Sequence, residues 1–231
     1  MKEEVKIDKT FCIKVSSAGL GGFDVKFNTF DLCTRAILEG ISGDFVEAGT
    51  YKGSHPMIMA EVARRAGDER KIHLYDSFEG VPKVREDRDH VEAKTYGMAN
   101  DDGDLESDGN AKATIAHVMA AFEANDAPLK NTVFHKGWFQ NTLPNEEIPD
   151  IAVLRLDVDL LESNELCFKY LYPKLAIGGY FITDDYGRDN TGTADTWRAE
   201  FKRLLTKYGF KHPKEITQVE NESGTAWWQK Q

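Results

Sequence analysis

From Val153 to Gly187 the chain reads V-L-R-L-D-V-D-L-L-E-S-N-E-L-C-F-K-Y-L-Y-P-K-L-A-I-G-G-Y-F-I-T-D-D-Y-G. It contains two apolar runs, and each stops on acid: Asp157 and Asp159 after the first, Asp184 and Asp185 after the second. If the runs are adjacent parallel strands, Asp157, Asp184 and Asp185 meet at one sheet edge. Carboxylates that close repel one another unless something positive sits between them. Their oxygens are hard ligands, and no Cys or His accompanies them. That donor set suits Mg²⁺ or Mn²⁺ rather than zinc. An ion held there can lower the pKa of a bound hydroxyl and orient it. Plainer roles compete. Asp159 with Glu162 and Ser163 is also the composition of a helix start, and Asp184-Asp185 before Tyr186-Gly187 that of a turn.

A second group lies upstream, in V-E-A-G-T-Y-K-G, Val46 to Gly53. Gly49 and Gly53 let a backbone turn sharply beside a ligand, and a helix N-terminus starting at Ser54 presents free N–H groups. The dinucleotide fingerprint G-x-G-x-x-G is absent because Tyr51 holds its middle position, which disfavours a nicotinamide dehydrogenase. The pattern E-x-G-x-x-x-G instead resembles the first motif of class I methyltransferases, which binds S-adenosylmethionine. One βαβ unit later Y-D-S-F-E-G-V-P places Asp76 at a strand tip, where an acid can accept the hydroxyls of a ribose. In F-H-K-G-W-F-Q-N-T-L-P, Trp138 and Phe139 are either an adenine platform or core aromatics. The cofactor-binding set is therefore Glu47, Ala48, Gly49, Thr50, Tyr51, Gly53, Ser54, Asp76, Ser77, Gly137, Trp138 and Asp157.

These groups need a frame that brings strand ends together. Short β-branched and aromatic runs at Asp44–Ala48, Lys71–Tyr75, Thr132–Lys136, Ile151–Leu156 and Tyr180–Thr183 read as parallel strands covered on both faces. Helical patterns alternate with them at Ser54–Arg65, which starts with Ser54 as its cap and Pro56 in the first turn, and at Thr114–Ala124, Ser163–Leu175 and Thr193–Tyr208, and Gly178-Gly179 reads as the end of the unit that Ser163–Leu175 belongs to. The tail, Ile216–Gln229, is strand-like. This order predicts a Rossmann-like doubly wound α/β fold with a mostly parallel seven-stranded sheet. One domain spans 1–231. Residues 1–40 form an N-terminal extension, expected as a small hairpin plus a helix at Thr29–Glu39. The interval from Ser77 to Asn131 exceeds a single crossover, so about 82–112 reads as a lid insertion.

The formal net charge of −10 over 231 residues repels phosphate backbones and argues against nucleic acid. No run has the length and apolarity of a membrane span, and M-K-E-E-V-K-I-D-K has no signal core, so a cytoplasmic protein is expected. Three widely spaced cysteines read as buried thiols.

Five blocks now stand in order: G-D-F-V-E-A-G-T-Y-K-G, L-Y-D-S-F-E-G-V-P, K-G-W-F-Q-N-T-L-P, L-R-L-D-V-D-L-L-E-S and Y-P-K-L-A-I-G-G-Y-F-I-T-D-D-Y-G. Together they resemble the macrocin O-methyltransferase (TylF-type) family, over roughly Phe30 to Tyr208. The resemblance implies methyl transfer from S-adenosylmethionine to a sugar hydroxyl of a glycosylated natural product or glycan, a divalent metal, usually Mg²⁺, and a homo-oligomer. It maps the metal ligands to Asp157, Asp184 and Asp185, and the base to Asp157. His117 and His135 are alternative proton acceptors if they reach the pocket. Two departures stand out: Leu161 where the family commonly has Tyr, and Ser54-His55-Pro56 after the glycine motif. A metal-dependent phenol or catechol methyltransferase and a non-catalytic nucleoside-binding module of the same fold are the alternatives.

Overall fold

The structure, a computed structural model, describes residues 9–82, 109–145, 147–187, 194–220 and 224–231. Among these, α1 (Lys9–Val15), a 3₁₀ turn (Ser16–Ala18) and α2 (Phe23–Leu38) come first. Then follow β1 (Asp44–Ala48), α3 (Ser54–Arg65), β2 (Ile72–Asp76), α4 (Ile115–Ala124), β3 (Thr132–Lys136) and α5 (Phe139–Thr142). The chain closes with β4 (Ile151–Leu156), α6 (Leu161–Tyr170), β5 (Leu175–Thr183), α7 (Ala194–Lys207), β6 (Thr217–Gln218) and β7 (Ala226–Gln229).

The seven strands lie in the order β3-β2-β1-β4-β5-β7-β6. The first five run parallel, and β7 is antiparallel to both of its neighbours. The order reverses between β1 and β4, so the carboxyl ends of those strands open onto the crevice where α/β sheets bind ligands. Side chains alternate across the sheet with period two. Phe45, Leu74, Val153 and Ile182 enter the core beneath α2 and α3. Val46, Tyr75, Leu154 and Phe181 enter the other core with Phe168, Phe201 and Trp228, beneath α6 and α7. Each such side chain stabilises the fold by roughly 1.5–3 kcal/mol through burial. All six residues of β4 are buried, as a central strand covered on both faces requires.

Three expectations are corrected. The N-terminal extension contains no hairpin among the described residues; it is α1, the 3₁₀ turn and α2, whose buried Val25, Thr29, Leu32, Cys33, Ala36 and Ile37 fit a helical period against the sheet. The helix after β4 ends at Tyr170, and Leu175 already opens β5. Gly178 and Gly179 therefore lie inside a strand rather than at a stop, and a Cβ on Gly179 would press on the backbone oxygens of Ala152 and Ala176 at 3.0 and 2.8 Å. Ser54 does not cap α3: Gly53 holds that position, and no side chain caps the helix. The expected lid falls almost wholly outside the described residues.

Candidate active site

Gly49 ends β1 in a left-handed conformation, φ 80°, which favours glycine. A Cβ there would overlap the backbone carbonyl of Asp157. The missing side chain thus lets the end of β4 lie directly on the glycine loop. The Asp157 amide donates to Ala48 O at 3.0 Å, and the Asp184 amide to Leu156 O at 3.2 Å. These contacts set the ends of β1, β4 and β5 side by side, as the acid pattern requires.

A cleft of about 710 Å³, open mouth included, lies over this edge. Of the expected cofactor residues, Gly49, Tyr51, Asp76, Ser77, Gly137, Trp138 and Asp157 line it. Phe139, Val81 and Leu20 add apolar wall. Glu47, Ala48, Thr50, Gly53 and Ser54 do not line it; they are buried and form its support. His117 is exposed on α4, where it completes a capping box with Thr114. His135 stacks on Tyr75 at 4.0 Å between centroids and bonds His73 at 2.8 Å. Neither histidine lines the cleft, so neither is placed to take a proton there.

Asp76 also braces the glycine loop. Its Oδ2 accepts the backbone N–H groups of Thr50 at 2.7 Å and Tyr51 at 3.2 Å, and its Oδ1 accepts that of Phe78 at 2.7 Å. The carboxylate cross-braces the glycine loop to β2, although it still borders the cleft. Burial raises its pKa, against the pull of those N–H donors.

The positive charge among the aspartates belongs to Arg155, which sequence reasoning overlooks. Its Nη1 donates to Glu47 Oε1 at 3.0 Å and to Asp157 Oδ2 at 3.3 Å, and its Nη2 donates to Asp184 Oδ2. Thr225 Oγ1 donates to the other Asp184 oxygen at 2.8 Å. Asn164 Nδ2 reaches Asp185 Oδ2 at 3.4 Å. The guanidinium is fully buried, and the signal for it was available: a charged residue inside I-A-V-L-R-L must carry its own counter-charges.

One guanidinium does not balance this edge. Burial, together with Asp184, Asp159 and Asp185, pushes the Asp157 carboxyl well above its ordinary value despite Arg155. Burial likewise lifts Glu47 to about 8. The Oδ1 of Asn164, beside Asp185, is buried and accepts no hydrogen bond. Hard oxygens in charge excess, with an orphaned acceptor among them, fit an additional small cation in chemistry. In the arrangement described, however, Asp157 and Asp184 are turned to Arg155, and among the described residues no three His, Cys, Asp or Glu side chains form a metal-binding group. The acids read from sequence thus surround an arginine in this arrangement.

Residues 24–230 match the family described as macrocin-O-methyltransferase (TylF). The chain belongs to that family. It is 34% identical over 204 residues to an 8-demethyl-8-(2,3-dimethoxy-alpha-L-rhamnosyl)-tetracenomycin-C 4'-O-methyltransferase of Streptomyces olivaceus, covering 87% of this chain and 72% of that one. It is 36% identical over 159 residues to a demethyldecarbamoylnovobiocin O-methyltransferase of Streptomyces niveus, covering 67% and 57%. Among solved structures, the O-methyltransferase NovP superposes with a TM-score of 0.74 at 26% identity, over 90% of this chain and 80% of that one. The enzyme is thus an S-adenosylmethionine-dependent O-methyltransferase of the class I fold. The cleft suits that cofactor: the aromatic wall of Tyr51, Trp138 and Phe139 can face an adenine, and the acid end at Asp157 can face a sulfonium.

Proposed function

We propose that the enzyme methylates a hydroxyl on a sugar of a glycosylated small molecule, with Asp157 as the base. The observation that carries this reading is Asp157 itself. It is the one member of the expected triad that lines the cleft, and its carboxyl opens to the same space as the glycine loop and Trp138. The sugar class is supported by the relatives, whose names specify a rhamnosyl-tetracenomycin and a novobiocin precursor.

S-adenosylmethionine supplies an electrophilic methyl on a sulfonium. The acceptor hydroxyl is a weak nucleophile at neutral pH and needs its proton removed as the new C–O bond forms and the methyl–sulfur bond breaks, the electron pair leaving with the neutral thioether product. In this reading an Asp157 carboxylate oxygen takes that proton, supported by Arg155, whose Nη1 donates to Asp157 Oδ2 at 3.3 Å. Arg155 is in turn fixed by Glu47 and Asp184, so the base has little freedom to turn away. We further propose that Mg²⁺ adds to the acid cluster, with Asp157, Asp184 and Asp185 as the residues that would hold it. It would supply Lewis-acid polarisation of the hydroxyl.

The test is methyl transfer from S-adenosylmethionine to a panel of rhamnosides, other glycosides and catechols, each with Mg²⁺ and with EDTA. Transfer to glycosides that EDTA abolishes is expected. Transfer confined to catechols would overturn the sugar assignment, and full activity in EDTA would overturn the ion.

A further inference from the structure

Leu20 is 71% exposed yet lines the cleft, on the segment S-S-A-G-L-G-G that joins α1 to α2. A large apolar side chain standing free at the mouth of a ligand cleft calls for a partner that the ligand can provide. Its position is set by two contacts. The first is at Gly19, where a Cβ would overlap the Ser54 side chain. The glycine therefore lets this strap lie against the first turn of α3, beside the glycine loop. The second is Lys26, on α2. Its buried ammonium donates to the carbonyls of Leu20 at 2.7 Å and Gly21 at 2.6 Å. Burial and then Arg155 push the Lys26 pKa down, against the pull of Asp184, Asp157 and Glu47.

The strap carrying Leu20 lies on Ser54, directly after the glycine loop, and Leu20 lines the cleft together with Gly49 and Asp157. In S-adenosylmethionine the amino-acid end adjoins the sulfonium, the charge that the acid end of the cleft can face.

We propose that Leu20 is a wall residue of the cofactor site, covering the amino-acid and sulfonium end of S-adenosylmethionine, and that Lys26 is the positioning residue that holds it there. Bound cofactor would remove Leu20 from water, and the side chain would shield the sulfonium from solvent. The inference rests on the reading of this cleft as the cofactor site.

The experiment is calorimetric titration of S-adenosylmethionine and its demethylated product into wild type, Leu20→Ala, Lys26→Met and Lys26→Arg, with ligand-free melting points alongside. Leu20→Ala should weaken binding of both about five- to tenfold with an unchanged melting point, because the side chain contacts little in the free protein. Lys26→Met should weaken binding at least as much and raise KM for S-adenosylmethionine more than it lowers kcat. Lys26→Arg should recover most of that affinity. Binding by Leu20→Ala within twofold of wild type would overturn the wall assignment. A Lys26→Met protein that melts early but keeps its KM would reduce Lys26 to a structural role and overturn the positioning assignment. A wild type that binds no S-adenosylmethionine would instead sink the reading of the cleft, and this inference with it.

Discussion

Two buried cations sit at opposite ends of β5, and they are satisfied in different ways. At the carboxyl end Arg155 is surrounded by carboxylates: Glu47, Asp157 and Asp184. At the amino end Lys230 donates to three neutral carbonyls, those of Tyr172, Pro173 and Leu175, at 3.0, 3.0 and 2.6 Å. Those carbonyls belong to the turn that follows α6, where free C=O groups need donors. Lys230 satisfies those carbonyls, and burial pushes its pKa down with no acid beside it, among the described residues, to oppose the shift. Arg155 differs: its own Nε and Glu47 Oε2 stay unpartnered, and the acids outnumber it. Burial of a cation thus has two meanings. A cation among carbonyls closes a structure, whereas a cation among surplus acids leaves a site ready for more charge.

The contrast can be broken most forcefully at Arg155. Arg155→Met would strand Glu47, Asp157 and Asp184 together without their cation, at a cost of about 3–5 kcal/mol. Denaturant titration should show that loss, and methyl transfer should vanish with it. Lys230→Met removes a neutral-partner cation and should cost about 1–3 kcal/mol through unsatisfied carbonyls. Its kcat and KM should stay at wild-type values, since Lys230 lies at the other end of the strand.

Proton linkage sharpens the same contrast. The ordinary Glu value is 4.5, and Glu47 stands at about 8, raised by burial and by Asp184 and Asp76 against Arg155. The folded protein therefore holds a proton that the unfolded chain releases. Stability from this group is full below about 4.5 and is lost as pH rises toward about 8. Urea midpoints measured across that window should fall with rising pH, and Glu47→Gln should flatten the slope. A Lys230→Met protein should keep the wild-type slope.

Much of this frame was legible because its strands are short continuous apolar runs, which a central parallel sheet demands. Asp44–Ala48, Thr132–Lys136 and Ile151–Leu156 are strands over the expected residues, and β4 does lie beside β5. The misreadings have physical reasons. Gly178-Gly179 looks like a stop, but the close backbone of Ala152 requires glycine there within a strand. The bracing of the glycine loop by Asp76 went unread because it is a long-range contact that composition does not report. The acid pattern announced a positive centre. The arginine that supplies part of it went unread because it hides in an apolar strand. Leu20 gave no signal at all, since its placement depends on Lys26 meeting its carbonyl and Ser54 meeting Gly19 in space.

The account turns on Asp157 as the proton acceptor in the cofactor cleft. Single-turnover transfer from S-adenosylmethionine to a glycoside acceptor, measured in Asp157→Asn beside calorimetric cofactor binding, probes this most directly. The variant should bind the cofactor within a few-fold of wild type and transfer its methyl about 10²–10⁴ times more slowly. Transfer at the wild-type rate by that variant would contradict the assignment.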